Sequence, residues 1–149
     1  MYEQTVGWIR PVGMPYRYTI RRIVTGAGLL IVHSKILKMP RWAYEELYPR
    51  SAPSKMPDEA WLRRLVTSTG SPSEIMILAG DDAVERLIAL VGRDADPAKC
   101  APGTIRHEFG VSCAENIGGM DFHLRVMHRP VDREEAARNL FIARKLIGI

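Results

Sequence analysis

Hydrophobic and polar positions along the chain follow the two periods that distinguish helices from strands. The β-branched and leucine-rich run 29–39 ends at Pro40 and predicts a strand. Residues 16–27 place apolar side chains at helical spacing and stop at glycine, which predicts a helix. The same criteria predict further strands at 5–9, 74–79 and 122–127, and further helices at 42–48, from Asp58, at 82–91 and from Asp132.

This order of elements favours the α+β class. Two β-α-β units in succession predict a ferredoxin-like βαββαβ fold, a four-stranded antiparallel sheet with helices on one face. The two helices between the second and third strands form a helical hairpin insertion. We expect a single domain over 1–149, because this length is typical of one domain. The Ser- and Pro-rich run 51–57 predicts a loop, and 92–120 has no strong period, which indicates a long functional or disordered loop.

Composition is that of a soluble globular protein, with 46% hydrophobic and 26% charged residues. No apolar run approaches the roughly 18–20 residues that a membrane helix needs, and the first residues lack a secretory signal pattern. Cys100 and Cys113 are too few for a disulfide framework and lie outside any CxxC pair, so we interpret them as reduced thiols. These features predict a cytoplasmic protein with no membrane partner.

The charge balance points mildly towards anionic ligands, because the formal net charge is +4. Basic residues are spread along the chain rather than gathered in one stripe, so we do not expect a nucleic-acid partner. The segment APGTIRHEFG at 101–110 is more specific, since it combines the turn Pro102-Gly103 with Thr104 and Arg106. A turn that presents one fixed cation is typical of an anion cradle.

Four segments resemble one known family, in that family's order and near its spacing. They read WIRPVG (8–13), STGSPSEIMILAG (68–80), DPAKCAPGTIR (96–106) and MHRPVDREEAARNL (127–140). On these segments the chain resembles the nucleoside diphosphate kinases over nearly its whole length, and the third segment is the most specific. The resemblance implies transfer of the γ-phosphoryl group from a nucleoside triphosphate to a nucleoside diphosphate, by a ping-pong reaction through a phosphohistidine.

The resemblance also implies the main residues of the site. His128 matches the catalytic histidine of the family, which must be neutral near pH 7 to act as a nucleophile. Arg106 matches an arginine that contacts phosphate, and Mg²⁺ bound with the nucleotide adds to the charge stabilisation. We expect no metal site built from protein residues. The implied partners are nucleoside di- and triphosphates and further copies of the chain, in a dimer, tetramer or hexamer.

Other nucleotide-binding positions match the family less closely. Arg10 stands where the family has a lysine that contacts the γ-phosphate, and Tyr48 falls near a tyrosine close to the histidine. Trp61 falls near the phenylalanine that stacks on the base. The family's asparagine, which binds the ribose 3′-hydroxyl, has two candidate matches. Counting forward from the APGTIR segment gives Asn116, counting back from the histidine gives Arg125, and both alternatives stay open.

The chain departs from the family at several supporting positions. Ile88 stands in place of a second phosphate-binding arginine, and Pro130 in place of a serine after the histidine. The threonine of the family's GxTxP segment has no counterpart in 92–97. Asn139 replaces the glutamate that orients the imidazole, and Glu135, one helical turn earlier, is the candidate substitute.

These departures leave more than one function open. The first is an active nucleoside diphosphate kinase with a diverged phosphate site. The alternative is a catalytically weakened nucleotide-binding or regulatory module of the same fold, and a third is an unrelated ferredoxin-like binding domain. Residues 110–121 read as an insertion beside the site with few apolar side chains. They predict a flap that is ordered only where it packs on the nucleotide or on a neighbouring subunit.

Overall fold

A four-stranded antiparallel sheet forms the centre of the computed structural model, which describes residues 1–49 and 58–149. The predicted loop 51–57 lies outside the described residues. The strands are β1 (Tyr2–Ile9), β2 (Leu30–Lys38), β3 (Pro72–Asp81), β4 (Val111–Ile117), β5 (Met120–Leu124) and β6 (Met127–His128). The helices are α1 (Arg17–Gly26), α2 (Arg41–Leu47), α3 (Asp58–Thr69), α4 (Ala83–Val91), α5 (Ile105–Phe109) and α6 (Arg133–Ile147). The sheet order β2-β3-β1-β6 confirms the predicted ferredoxin-like class.

Helices cover both faces of the sheet. On β3, Ile75 and Ile77 face one side, and Met76 and Leu78 face the other. The crossover helices α1 and α4 pack on the Met76 side, whereas α2 and α6 pack on the Ile75 side. The two crossover helices therefore share one face as predicted, and α2 and α6 add a second layer that periodicity alone did not predict.

The helical insertion between β2 and β3 is anchored on the sheet. Ala43 and Leu47 of α2 and Leu65 of α3 join the core cluster that also holds Ile142 of α6. Burial of these side chains fixes the end of α2, which carries Tyr48 towards the edge of the sheet where β6 lies.

The chain after α4 differs from the prediction in two ways. Residues 92–120 are not irregular throughout, because they hold α5 and β4. The predicted strand 122–127 is not one element either: 122–124 pairs with β4 in a separate two-stranded sheet, and only Met127–His128 joins β1. The alternation of apolar residues continues across the point where the chain leaves one sheet for the other, and alternation does not identify the partner of a strand.

The β4–β5 hairpin packs on α3. Ile117 and Phe122 are buried against Ala60. Arg63 of α3 donates to both carboxylate oxygens of Glu115, at 2.6 and 2.8 Å. The expectation that residues 110–121 need a nucleotide or a neighbouring subunit to pack on is therefore wrong, because α3 of the same chain supplies that surface.

A capped turn sets the position of α5. Thr104 accepts a hydrogen bond from the backbone N–H of His107 at 3.3 Å and so begins the helix. Gly103, just before it, adopts a φ of +89°, a conformation that side chains with a Cβ rarely tolerate. The predicted turn thus aims Arg106, in the first turn of α5, into the interior.

Candidate active site

His128 lies in β6, where it is buried beside two aromatic rings. Backbone pairing places it opposite Trp8 of β1. The ring of Tyr48 meets the imidazole edge-on with ring centres 4.8 Å apart, and the Trp8 ring lies 6.4 Å away. Tyr48 therefore lies beside the imidazole, where the resemblance implies a tyrosine.

A hydrogen bond to Asn139 of α6 fixes the tautomer of His128. Its Nε2 lies 2.9 Å from Oδ1 of Asn139. Because this oxygen only accepts, Nε2 carries the proton and Nδ1 keeps its lone pair. Glu135 has its nearest oxygen 3.9 Å from Nε2, and it accepts a bond from the backbone N–H of Val131 instead. Asn139, rather than the suggested substitute Glu135, therefore orients the ring.

Burial keeps His128 uncharged. The pKa of its imidazole is lowered to about 3, chiefly because removal from water disfavours the charged form. The hydrogen bond to Asn139 acts in the opposite direction. Arg106, Arg10 and Arg125 add positive charge nearby and lower the pKa further. A neutral imidazole with an unshared pair on Nδ1 is what phosphoryl transfer to histidine requires.

Arg106 is buried and held by main-chain carbonyls. One terminal nitrogen donates to the carbonyl of Asp94 at 2.9 Å, while Nε and the other terminal nitrogen both reach the carbonyl of Met127 at 3.3 Å. These bonds leave at least one guanidinium N–H for a ligand. Burial, followed by the charges of Arg129 and Arg125, lowers the pKa of Arg106 to about 10, so it remains charged at pH 7.

Two further arginines line the site, although the sequence analysis gave them no role. Arg129 is buried and donates through Nε and a terminal nitrogen to the carbonyl of Gly92, at 3.1 and 2.7 Å. Gly92 adopts a φ of +125°, and a Cβ there would lie 2.7 Å from Sγ of Cys100, so the position requires glycine. Arg93 is exposed and pairs with Glu85. The sequence signal that could have identified Arg129 as a site residue is its position directly after His128.

Arg10 follows β1 and is tied to both α3 and the aromatic rings. It donates to Oγ of Ser68 at 2.6 Å. Its guanidinium lies 5.6 Å from the centre of the Trp8 ring and 5.5 Å from that of Tyr48, within the range of cation–π attraction. The position where the family has a lysine thus carries a buried, stacked cation close to His128.

The two candidates for the ribose-contacting position lie in different places. Arg125 lines the cleft in front of His128, and it makes no hydrogen bond with the described residues. Asn116 lies on the hairpin, exposed, and donates to Asp121 at 3.0 Å. Only Arg125 is therefore brought together with the histidine.

The cleft in front of His128 has a volume of about 310 Å³. Trp61 is not among the described residues that line it. Its ring packs against the core and lies 5.5 Å from the guanidinium of Arg41. Four guanidinium groups against the carboxylate of Glu135 make the cleft an anion site. The described lining residues are Tyr48, Arg93, Ala95, Arg106, Arg125, His128, Arg129, Val131 and Glu135.

Comparison with known proteins identifies the family of this chain. The family model for nucleoside diphosphate kinase matches residues 3–143. This chain belongs to the nucleoside diphosphate kinase family. A nucleoside diphosphate kinase of Ignicoccus hospitalis is 37% identical over 115 residues, which are 77% of this chain and 69% of that protein. One of Saccharolobus solfataricus is 34% identical over 118 residues, which are 77% of this chain and 81% of that protein.

The fold likeness extends further along the chain. The structure of a nucleoside-diphosphate kinase from Borrelia burgdorferi, with bound vanadate and ADP, has a TM-score of 0.76 and 19% identity. The likeness covers 95% of this chain and 86% of that one. The family match confirms the resemblance carried by the four sequence segments. Members of the nucleoside diphosphate kinase family are phosphotransferases.

Two negative findings complete the description of the site's surroundings. No helix in the described part of the chain is long and apolar enough to cross a membrane. Within residues 1–49 and 58–149, no three His, Cys, Asp or Glu side chains gather closely enough to hold a metal ion.

Proposed function

We propose that this chain transfers the γ-phosphoryl group of a nucleoside triphosphate to a nucleoside diphosphate, with His128 as the carrier. One observation carries the proposal: a neutral imidazole, oriented by Asn139, lies at a cleft lined by four arginines. A phosphoryl acceptor needs a free lone pair and a surrounding that stabilises negative charge, and this site supplies both.

The reaction proceeds in two half-reactions. In the first, Nδ1 of His128 attacks the γ-phosphorus, an N–P bond forms, and the P–O bond to the diphosphate leaving group breaks. Arg106 and Arg129 stabilise the charge on the phosphoryl oxygens, and their anchored guanidinium groups need little reorganisation. In the second, an oxygen of a new nucleoside diphosphate attacks the same phosphorus, and breakage of the N–P bond restores the neutral imidazole.

Mg²⁺ fits this site as a companion of the nucleotide rather than as a resident ion. Glu135 is the one carboxylate among the described lining residues, and one of its oxygens already accepts a hydrogen bond from Val131. Mg²⁺ requires oxygen ligands and often takes most of them from substrate phosphates and water. Bound in this way, it would neutralise part of the phosphate charge, while the arginines neutralise the rest.

The second candidate function is a catalytically weakened nucleotide-binding or regulatory module of the same fold. Asn139 favours it, because a neutral amide stabilises the positive character of a phosphorylated imidazole less than a carboxylate would. Such a module would bind nucleotide and form the phosphohistidine slowly or not at all.

Exchange of phosphate between ATP and UDP tests the proposal and separates these two functions. We expect UTP formation by the wild type and none by His128→Asn. The matched control is His123→Asn, on β5, whose imidazole accepts a hydrogen bond from the backbone N–H of Cys113 in the hairpin. ATP binding without UTP formation would support the weakened module. UTP formation that survives His128→Asn would contradict both candidate functions, because each places any transferred phosphoryl group on His128.

We also expect a homo-oligomer, as the family resemblance implies, and a cytoplasmic location, as the composition predicts. β2 is an edge strand of the central sheet, and its Leu30 and Ile36 are exposed. An unpaired edge with apolar side chains gains stability when another chain covers it. Sedimentation velocity of the purified protein distinguishes a dimer, tetramer or hexamer from a monomer.

A further inference from the structure

The arginines around the site fall into two groups that have different partners. Arg106 and Arg129 are anchored on main-chain carbonyls. Arg125 has neither a hydrogen bond nor an ion pair with the described residues, and Arg10 and Arg64 are its charged neighbours. Like charges gathered away from water are unfavourable unless an anion joins them.

Arg10, Arg64 and Arg125, named here the arginine triad, have no carboxylate partner in the described part of the chain. Arg10 uses one donor on Ser68 and lies over the Tyr48 ring. Burial and the charge of Arg10 lower the pKa of Arg64, so the triad repels itself rather than being neutralised. The triad therefore offers guanidinium donors to an anion that comes from outside the chain.

The cleft offers little to a sugar or a base. Apart from His128, Tyr48 is the one neutral polar side chain among the described lining residues. Its ring is already in contact with the imidazole and with Tyr44. Sugars are bound by paired donors and acceptors, and bases by a free aromatic face, so phosphate groups are the better match for this lining.

The β4–β5 hairpin packs directly on α3. Ala60 of α3 packs against Ile117 and Phe122 of the hairpin. The ion pair between Arg63 and Glu115 fastens the same two elements. The hairpin and α3 are therefore in direct contact at these residues.

We infer that this site recognises its substrates by their phosphate chain, so that inorganic tripolyphosphate replaces a nucleoside triphosphate as phosphoryl donor. The inference rests on the proposed function and names its donor class. Nδ1 of His128 attacks a terminal phosphorus of tripolyphosphate, an N–P bond forms, and the P–O bond breaks with its electron pair leaving on pyrophosphate. An oxygen of the nucleoside diphosphate then attacks this phosphorus, a P–O bond forms, and the N–P bond breaks with its electron pair returning to Nδ1. The triad binds the phosphates that Arg106 and Arg129 do not reach.

The test measures UTP formation from UDP with either ATP or tripolyphosphate as donor, together with binding of each donor by calorimetry, all with Mg²⁺. We expect kcat/KM for tripolyphosphate within about tenfold of that for ATP, because both donors use the same charge-assisted contacts. Arg125→Asn weakens the binding of both donors by a similar factor, about 10- to 100-fold. Arg64→Gln is a second variant with the same expected pattern. Arg22→Asn, on the exposed face of α1, removes the same charge as a control and changes neither donor.

Three outcomes decide the matter. UTP formation from ATP alone, whether or not tripolyphosphate binds, overturns the inference and leaves the proposed function intact. If Arg125→Asn weakens the binding of ATP but not of tripolyphosphate, the inference is also overturned, because Arg125 would then contact the nucleoside. Failure of both donors to give UTP overturns the proposed function, and the inference with it.

Discussion

Two arginine-rich regions of this chain differ in what their guanidinium groups face. At Glu74, a fully buried carboxylate on β3, Arg17 and Arg21 donate charge-assisted hydrogen bonds at 2.8 and 2.6 Å. In front of His128, four guanidinium groups line a cleft in which Glu135 is the one carboxylate among the described residues. The first region balances its charge within the chain, and the second leaves positive charge for a ligand.

This difference separates a structural ion pair network from a binding site. The hydrogen bond to Glu74 raises the pKa of Arg17. Burial and neighbouring arginines instead lower the pKa of Arg106 and of Arg125 to about 10. The opposite directions of these pKa shifts distinguish an arginine that is paired with a carboxylate from arginines that have no carboxylate partner. In the sequence, both groups are scattered arginines with no difference in type.

Loss of the buried carboxylate should have the largest effect on stability. Glu74→Gln leaves Arg17 and Arg21 without their anion, and we expect the free energy of unfolding to fall by about 3 kcal/mol. Urea denaturation measures it. Glu45→Gln, which removes an exposed pair with Arg41, is the control and should cost less than about 0.5 kcal/mol. Equal effects of the two variants would contradict the structural role given to Glu74.

Loss of an anchored arginine in the cleft should weaken the binding of a triphosphate. Arg106→Ala is expected to weaken triphosphate binding by roughly 1.5–3 kcal/mol, because a hydrogen bond between charged groups is lost. Nucleoside binding should change much less. Calorimetry with ATP and with adenosine measures both. Equal weakening of the two ligands would mean that Arg106 only positions the main chain at Asp94 and Met127.

The neutral histidine predicts a pH dependence of stability. The pKa of His128 is about 3 when folded and about 6.5 when unfolded, so between these values the unfolded chain binds more protons and acid favours unfolding. Relative to His128→Asn, the wild type should lose about 2 kcal/mol of unfolding free energy between pH 7 and pH 5. Urea denaturation at the two pH values measures this difference. Parallel losses in the two proteins would show that His128 titrates normally.

Removal of an unpaired arginine should have the smallest effect on stability. Arg125→Asn takes away repulsion from Arg10 and Arg64, so we expect the free energy of unfolding to stay within about 0.5 kcal/mol of the wild type or to rise. Arg17→Asn, which breaks the pair with Glu74, is the matched comparison and should lower it. If both variants destabilise the chain equally, the distinction between the two regions fails.

Local periodicity predicted the parts of the fold that are locally determined. The run that became β2 and the apolar stripe of α1 carry their own period, so their place in the chain followed from the sequence. The predicted strand 122–127 was not found as one element, because its residues belong to two different sheets. The chain passes from one sheet to the other at Arg125 and Val126. Choice of partner is a property of the whole fold, and a short segment does not encode it alone.

The candidate site divides in the same way. His128 and Arg106 were found through motifs, since each lies in a segment that resembles the family. The bond between His128 and Asn139 joins a strand to a helix across a turn, and the sequence showed only that the expected glutamate is missing. The lack of an ion pair between Arg125 and any described carboxylate depends on the packing around it, which no spacing of residues reveals.

The phosphorylated nitrogen tests the central claim most directly. After incubation with ATP and Mg²⁺, the protein is digested under alkaline conditions, which preserve phosphohistidine, and the His128 peptide is examined by NMR. The account predicts phosphate on Nδ1, because Nε2 donates its proton to Asn139 and has no lone pair to offer. Phosphate on Nε2, on another residue such as His123, or on no residue at all would contradict it.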